Sequence, residues 1–230
     1  MKTKGLLIAS LVVAVLMAGF AVLTAQRLPP GTMLPTHWNA AGQPDNFAPA
    51  LKALLMPPAI AAGLGVFFSI IPRIEPLQDR LEQSSALFRT AWLGVLGVMI
   101  VVQLAIGLPG WGVTLPVNAI ILAIGVMFIV LGNALPKSRP GFFVGIRTPW
   151  TLTDTDVWIA THRLGGKLMM LAGLAIVIAS LLPIQPQNTA IVVLVSVGIA
   201  ALIPTVYSWW LWHQKKARGE LSPQDKATRG

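Results

Sequence analysis

Cysteine is missing from this sequence, which excludes disulfide frameworks, thiolate zinc sites and cysteine nucleophiles, and leaves the redox compartment unread. Charge is scarce as well: 11% of residues carry one, about half of what a soluble domain of this length shows. Acids are the scarcer sign, 8 against 17 Lys and Arg. There is no phosphate loop, no recognised nucleophile–base pair and no metal-ligand spacing. No low-complexity segment and no stretch resembling a soluble domain stands out.

What is present is apolar. Mean hydropathy is +0.72, and the apolar residues gather into six uncharged runs at about 5–25, 53–72, 90–109, 113–133, 168–184 and 191–212. A bilayer core needs about 20 mainly apolar residues as helix, with a range near 17 to 25. All six fit. The first follows "MKTK" but is too long for a signal-peptide core and lacks a small-x-small cleavage site, so it reads as a retained span. The expected fold class is all-α: one integral membrane domain over 1–230, a polytopic bundle of six transmembrane helices.

Orientation follows from the basic residues. With the N-terminus in the cytoplasm, every Lys and Arg except Arg27 and Lys52 falls in a cytoplasmic connection or tail, from Lys2 and Lys4 through to Lys226 and Arg229. Both termini are therefore expected in the cytoplasm of a cell (inner) membrane. The net charge of +9 is then explained by the anionic inner leaflet, with no direct nucleic acid needed. Trp92, Trp111, Trp209, Trp210 and Trp212 lie at span ends, as an aromatic belt would. Pro57, Pro58 and Pro204 should kink their spans. The tail 214–230 is polar and basic and reads as disordered.

Two connections are long: 26–52 outside and 134–167 inside. Each follows the first span of its half, and three spans per half is the arrangement of an inverted repeat, though no sequence match between the halves accompanies it. A third connection, "PRIEPLQDRLEQ", reads as a short polar helix after a turn. There Glu75, near Arg73 and Arg80, is most simply a surface ion pair of little energetic value. Gln103 is the one strongly polar side chain deep in a span, and a single interhelical hydrogen bond would satisfy it.

The inner loop contains "GIRTPWTLTDTDVW", residues 145–158. Pro149 disfavours helix at Thr148 and forces an extended or turned entry. "TDTD" then matches a helix start with Thr153 as cap and acids in the first turn. Trp158 and His162, four apart, share a face of that helix, and Gly165-Gly166 loosen the chain before the fifth span. An interfacial helix explains the Thr, Asp and Trp content. It explains poorly why Arg147 leads into a rigid Thr148-Pro149-Trp150 turn, where its planar fork would hold a carboxylate, phosphate or carbonyl row. Candidate functional residues are therefore Arg147, Thr148, Pro149, Trp150, Thr151, Trp158, His162 and Arg163. Asn133 joins them, although its simplest role is to end the fourth span in a left-handed conformation.

Outside, "PTHWNAAGQPD" is a turn-rich loop presenting His37, Trp38, Asn39, Gly42 and Asp45 as a candidate recognition surface. Turn chemistry through Asn39 and Gly42 is the simpler reading. His37 and Asp45 alone are too few for a metal site, so neither metal nor cofactor is expected.

"GNALPKSRPGFFVGIRTPWTL" followed by "VWIATHRLGGK" resembles the signature of the SdpI immunity-protein family, and "PTHWNAAGQPD" resembles a domain of unknown function that opens its longer members. "IPRIEPL" is similar to the family's segment after the second span. Gly141 departs from the pattern, which usually has asparagine after Arg139-Pro140. The resemblance implies a multi-span protein that protects its cell from a secreted, membrane-acting peptide toxin. It further implies that such a protein can signal by holding a transcriptional repressor at the membrane. Its partners would be membrane lipids, the toxin outside and the repressor inside.

Other classes stay open. An ion-coupled transporter needs intramembrane carboxylates, histidines or bases, and the six runs contain none; an uncoupled small-molecule or lipid transporter is compatible. A membrane enzyme could draw on Arg147, Asp154, Asp156, His162 and Arg163 at the inner loop. Immunity through binding, without catalysis, is the favoured expectation.

Overall fold

The computed structural model describes residues 3–221, apart from the side chain of Gln78. Six helices in it are long and apolar enough to cross a membrane: α1 (Lys4–Arg27), α2 (Ala50–Ile74), α4 (Ser85–Gly107), α5 (Asn118–Ala134), α7 (Thr155–Leu181) and α8 (Pro186–Arg218). Short α3 (Gln78–Gln83) and α6 (Pro149–Thr153) lie in the connections. The chain is a polytopic helical bundle, as its composition requires.

Packing is that of a protein built for lipid. Large side chains such as Val15, Leu16, Leu194 and Leu202 point outward, while Ser10, Thr24, Gln103, Thr161, Ser180 and Ser208 are buried. Between helices in lipid, small and hydroxyl residues permit close approach and cross-bonding, and the apolar side chains face the solvent that accepts them. Gln103 donates from Nε2 to the Met17 carbonyl of α1 at 3.4 Å, the interhelical bond expected of it, but one bond does not satisfy the side chain: its Oε1 is buried with no partner among the described residues.

In each three-helix half the middle helix, α2 or α7, packs against both neighbours, and α4 meets α5 at the seam between halves. The α5–α7 contact is the most extensive, and glycines set it. A Cβ at Gly125 or Gly173 would meet the other's carbonyl oxygen at 3.0 or 2.6 Å; Gly132 and Gly166 oppose one another in the same way at 2.7 and 2.6 Å. The two helices are therefore antiparallel and touch backbone to backbone at two points seven residues apart. Gly165 and Gly166 do not loosen the chain, as the sequence suggests; helix α7 runs through them because each lies against a neighbour. Gly166→Ala should force the pair apart and destabilise the bundle by about 2–3 kcal/mol. Thermal melting in detergent checks this, with Gly198→Ala, where a Cβ meets open space, as the silent control.

At one end of the bundle the turn-rich loop is a β-hairpin, β1 (Met33–Trp38) paired antiparallel with β2 (Pro44–Pro49). This is an addition to the all-α expectation. Three prolines and two register shifts break the alternation that would mark strands in the sequence. Leu34 and Ala48 pack on Ala21, Ala53, Leu54 and Ile106, and a Cβ on Gly42 at the hairpin tip would lie 3.4 Å from Pro186 of α8. The hairpin thus bridges both halves.

Several expectations need correcting. Trp92 is not a belt residue: it is 2% exposed, stacks on Phe68, and donates from Nε1 to Ser10 Oγ at 2.8 Å. No residue other than glycine has positive φ among those described, so Asn133 does not end α5 in a left-handed turn; the helix passes into a 3-10 turn at Leu135–Lys137. The tail is not irregular from 214, because α8 continues to Arg218 and is closed by Gly219 at φ 69°. Lys2, Lys226, Arg229 and the rest of 222–230 lie outside the described residues.

Candidate functional site

At the end opposite the hairpin, residues 135–154 fold into a compact cap on the bundle. Ser84, between α3 and α4, accepts the backbone N–H of Arg139 at 2.9 Å. Glu75, one residue past α2, does more. Its carboxylate accepts the N–H of Phe142 at 3.2 Å to each oxygen, of Phe143 at 3.0 Å and of Leu77 at 3.1 Å. Glu75 is 2% exposed, so the surface ion pair read from the sequence is wrong. It is a buried acceptor whose charge is met by three backbone donors, the arrangement that makes burial of a carboxylate tolerable.

Gly145 then turns at φ 119°, which brings the N–H of Ile146 to His162 Nε2 at 2.8 Å. The other ring nitrogen, Nδ1, faces the Trp158 carbonyl at 2.8 Å. One nitrogen must accept and the other donate, so the imidazole is the neutral Nδ1–H tautomer. Trp158 stacks on this ring at 4.0 Å, and its Nε1 donates to the Ser138 carbonyl at 3.4 Å. The expected shared face of Trp158 and His162 is present, and it forms the floor beneath the loop.

Arg147 is exposed, and its Nη1 donates to the Phe142 carbonyl at 2.7 Å. One arm of the fork thus braces the turn that Glu75 holds from behind. Thr148 and Thr151 form a reciprocal capping box around Pro149 at the start of α6. Thr151 Oγ1 also donates to the Ile146 carbonyl at 2.9 Å, and Thr148 Oγ1 meets Ser208 Oγ of α8 at 2.9 Å. Thr153 is not the cap of the following helix; its hydroxyl turns back to the Pro149 carbonyl at 3.0 Å. Asp154 caps α7 instead, accepting Val157 N–H at 2.8 Å. Lys215 of α8 bridges Asp154 and Asp156 at 3.1 and 2.7 Å. Aspartate wins because it is followed by the helix itself, whereas Thr153 closes the separate turn of α6.

The structure therefore brings together Arg147, Thr148, Thr151, Trp158 and His162, with Pro149 exposed and Trp150 half-buried at the edge of the same turn. Arg163 and Asn133 stand apart, both exposed. Glu75, Ser84, Ser208 and Lys215 belong to the site and were not in the candidate set, and Asp154, named only for an enzymatic alternative, belongs to it as a helix cap. Glu75 had one signal: a lone acid directly after a long uncharged run in an acid-poor chain. Of the side chains an enzymatic centre would use, His162 has both ring nitrogens engaged, and Asp154 and Asp156 are held by Lys215. Gly141 sits where a Cβ would lie 4.0 Å from Glu75 Oε2, so the first atom of a side chain there would stand beside the carboxylate.

The hairpin end is simpler. His37 Nδ1 and Asp45 Oδ1 pair across the strands at 2.6 Å, both exposed. Asn39 Oδ1 accepts the N–H groups of Ala41 at 2.9 Å and Gln43 at 3.1 Å, and Gly42 has φ 70°. Turn chemistry accounts for these two residues. Trp38 packs its ring on the hairpin's small core. Among the described residues no third histidine or acid joins His37 and Asp45.

Comparison with known proteins agrees with this division. Residues 12–62, covering most of α1, the hairpin and the start of α2, match a domain of unknown function, DUF1648. The chain is 28% identical over 139 residues to the immunity protein SdpI of Bacillus subtilis (strain 168). That alignment covers 60% of this chain and 65% of the relative, so it spans just under two thirds of that protein's length. No solved structure matches. Residues 137–208, which take in most of the cap and of the last two spans, match the model of the SdpI/YfhL protein family.

Proposed function

We propose that this protein confers immunity: it protects the cell that carries it from a secreted, membrane-acting peptide toxin. The hairpin faces outward and the 135–154 cap faces the cytoplasm. The observation that carries the reading is the family match itself, because the matched segment opens with a cap whose backbone is tied at Glu75, Ser84, Arg147 and His162. Such tying presents a fixed surface around Arg147 and Trp150, which suits recognition. The similarity to an immunity protein and the basic residues gathered at the cap end support the same assignment, with the cytoplasmic membrane as location.

The same geometry supports a sensing role. Helix α2 begins directly after β2 and ends at Ile74, one residue before Glu75, so one helix about 37 Å long joins the outward hairpin to the cap. Displacement of the hairpin by a bound peptide would reach the loop that Glu75 holds, and a cytoplasmic repressor would read the loop. The test is expression in a toxin-exposed host lacking its own immunity protein. Restored survival is the expected result, and killing at the level of the empty vector would refute the assignment. Within that assay Arg147→Lys should keep membrane levels but lose protection, since an ammonium cannot brace the Phe142 carbonyl and present a second planar edge together. Wild-type survival would reduce Arg147 to an anchor.

A further inference from the structure

The seam between the two halves is not filled. Helices α4 and α5 leave an open trough of about 730 Å³ between them, running from Thr90 to Leu104 on one wall and from Leu115 to Val130 on the other. Its walls are apolar apart from Thr90, and Leu93, Val126 and Val130 are exposed at its lip. At 1.5 Å per residue the α4 wall is about 21 Å long, against about 15 Å for the hydrocarbon of one leaflet, half of about 30 Å. An extended acyl chain entering at the cap end therefore fits within it.

The cap end of the trough is also where the polar side chains are. Arg89 lies one turn before Leu93 on the same side of α4. Asn133 follows Val130 by three residues and Val126 by seven, so it continues the lip of α5, and Lys137 comes one turn later. The 3-10 turn that carries Lys137 touches α4, which brings the two walls together at this level. All three side chains are exposed, and none has a hydrogen bond or ion pair with another described residue. The opposite end, at Leu104 and Leu115, has no charged residue in its walls.

We infer that the α4–α5 trough is a binding site for an anionic phospholipid, with an acyl chain along the trough and the headgroup phosphate on Arg89 and Lys137. Asn133, which the cap does not use, donates from its amide to a phosphate or glycerol oxygen. The cations supply the complementarity: a phosphodiester placed there sets its single negative charge between two cations that have no other side-chain partner among the described residues, and one charge matched at a membrane surface is worth roughly fivefold in anionic-lipid preference.

The chain's lack of cysteine gives a direct experiment. Gly97 lies in the trough, and a Cβ there meets nothing within 4 Å, so Gly97→Cys carrying a bimane probe should fold normally. The labelled protein is placed in phosphatidylcholine vesicles containing a minor fraction of brominated lipid. Brominated phosphatidylglycerol is expected to quench the probe with about fivefold greater effect than brominated phosphatidylcholine. Arg89→Gln with Lys137→Gln should bring the two lipids to parity at unchanged membrane yield. Equal quenching by both lipids in the parent protein would overturn the headgroup site. Absence of quenching together with a dimer mass would also overturn it, since a second copy would then fill the trough.

Discussion

Glu75→Ala is expected to detach the cap from α2 and abolish protection. The substitution leaves the N–H groups of Leu77, Phe142 and Phe143 without their acceptor. Each buried donor left unpaired costs about 1–3 kcal/mol, so the total is on the order of 3–5 kcal/mol even if water reaches one of them. Glu75→Gln should fall between, because its amide offers a single acceptor oxygen and sets an N–H₂ against the remaining donors. The cost is local, since the helices pack through α5, α7 and α8 without this residue. The protein should therefore still insert. Ser138, 1% exposed under the loop, supplies the readout once changed to cysteine. Its thiol should be protected from maleimide when Glu75 is present and should react in the Glu75→Ala background. A protected thiol with full survival in both backgrounds would show that Glu75 is dispensable.

How much of this was legible in the sequence depends on the partner each residue answers to. The six spans were legible because lipid imposes its demand on every residue of a span, and uncharged runs report that directly. Their ends were less so. Helix α7 begins at Thr155 rather than Leu168 because its first turns, with Trp158, Thr161 and His162 fully buried, are polar residues facing protein rather than lipid. Hydropathy cannot distinguish that from a loop. The Thr148-Pro149-Trp150 turn and the Trp158–His162 face were readable, since both rest on neighbours within four positions. Glu75 was misread because its partners are backbone groups up to 68 residues away, and backbone N–H groups leave no mark in a sequence. Trp92 failed in the same way, its partner Ser10 being 82 residues distant. Thr153 and Asp154 competed for one cap, and only the break between α6 and α7 decides between them.

Gly145→Ala is the second large effect, and it tests whether the loop's shape or only its charge matters. The φ of 119° at this position lies where a side chain strains the backbone by about 1–3 kcal/mol before any contact is considered. An added Cβ would also stand 2.5 Å from His162 Nε2 and 2.7 Å from the Trp158 ring. Neither can retreat: the imidazole is bonded at both nitrogens, and the indole is fully buried and tied to Ser138. The loop must lift instead, breaking the Ile146–His162 bond and moving Arg147 away from the Phe142 carbonyl. A combined cost of at least about 3 kcal/mol follows, with loss of protection although every charged residue is retained. Gly141→Ala is the matched control, because a Cβ there makes only ordinary contacts at 3.6 and 4.0 Å; it should survive as wild type. Tryptophan fluorescence gives a second reading, since lifting the loop exposes Trp158 and should shift its emission to the red in Gly145→Ala alone. If Gly145→Ala protects as well as Gly141→Ala and shows no shift, the cap is not the rigid surface on which the immunity reading depends.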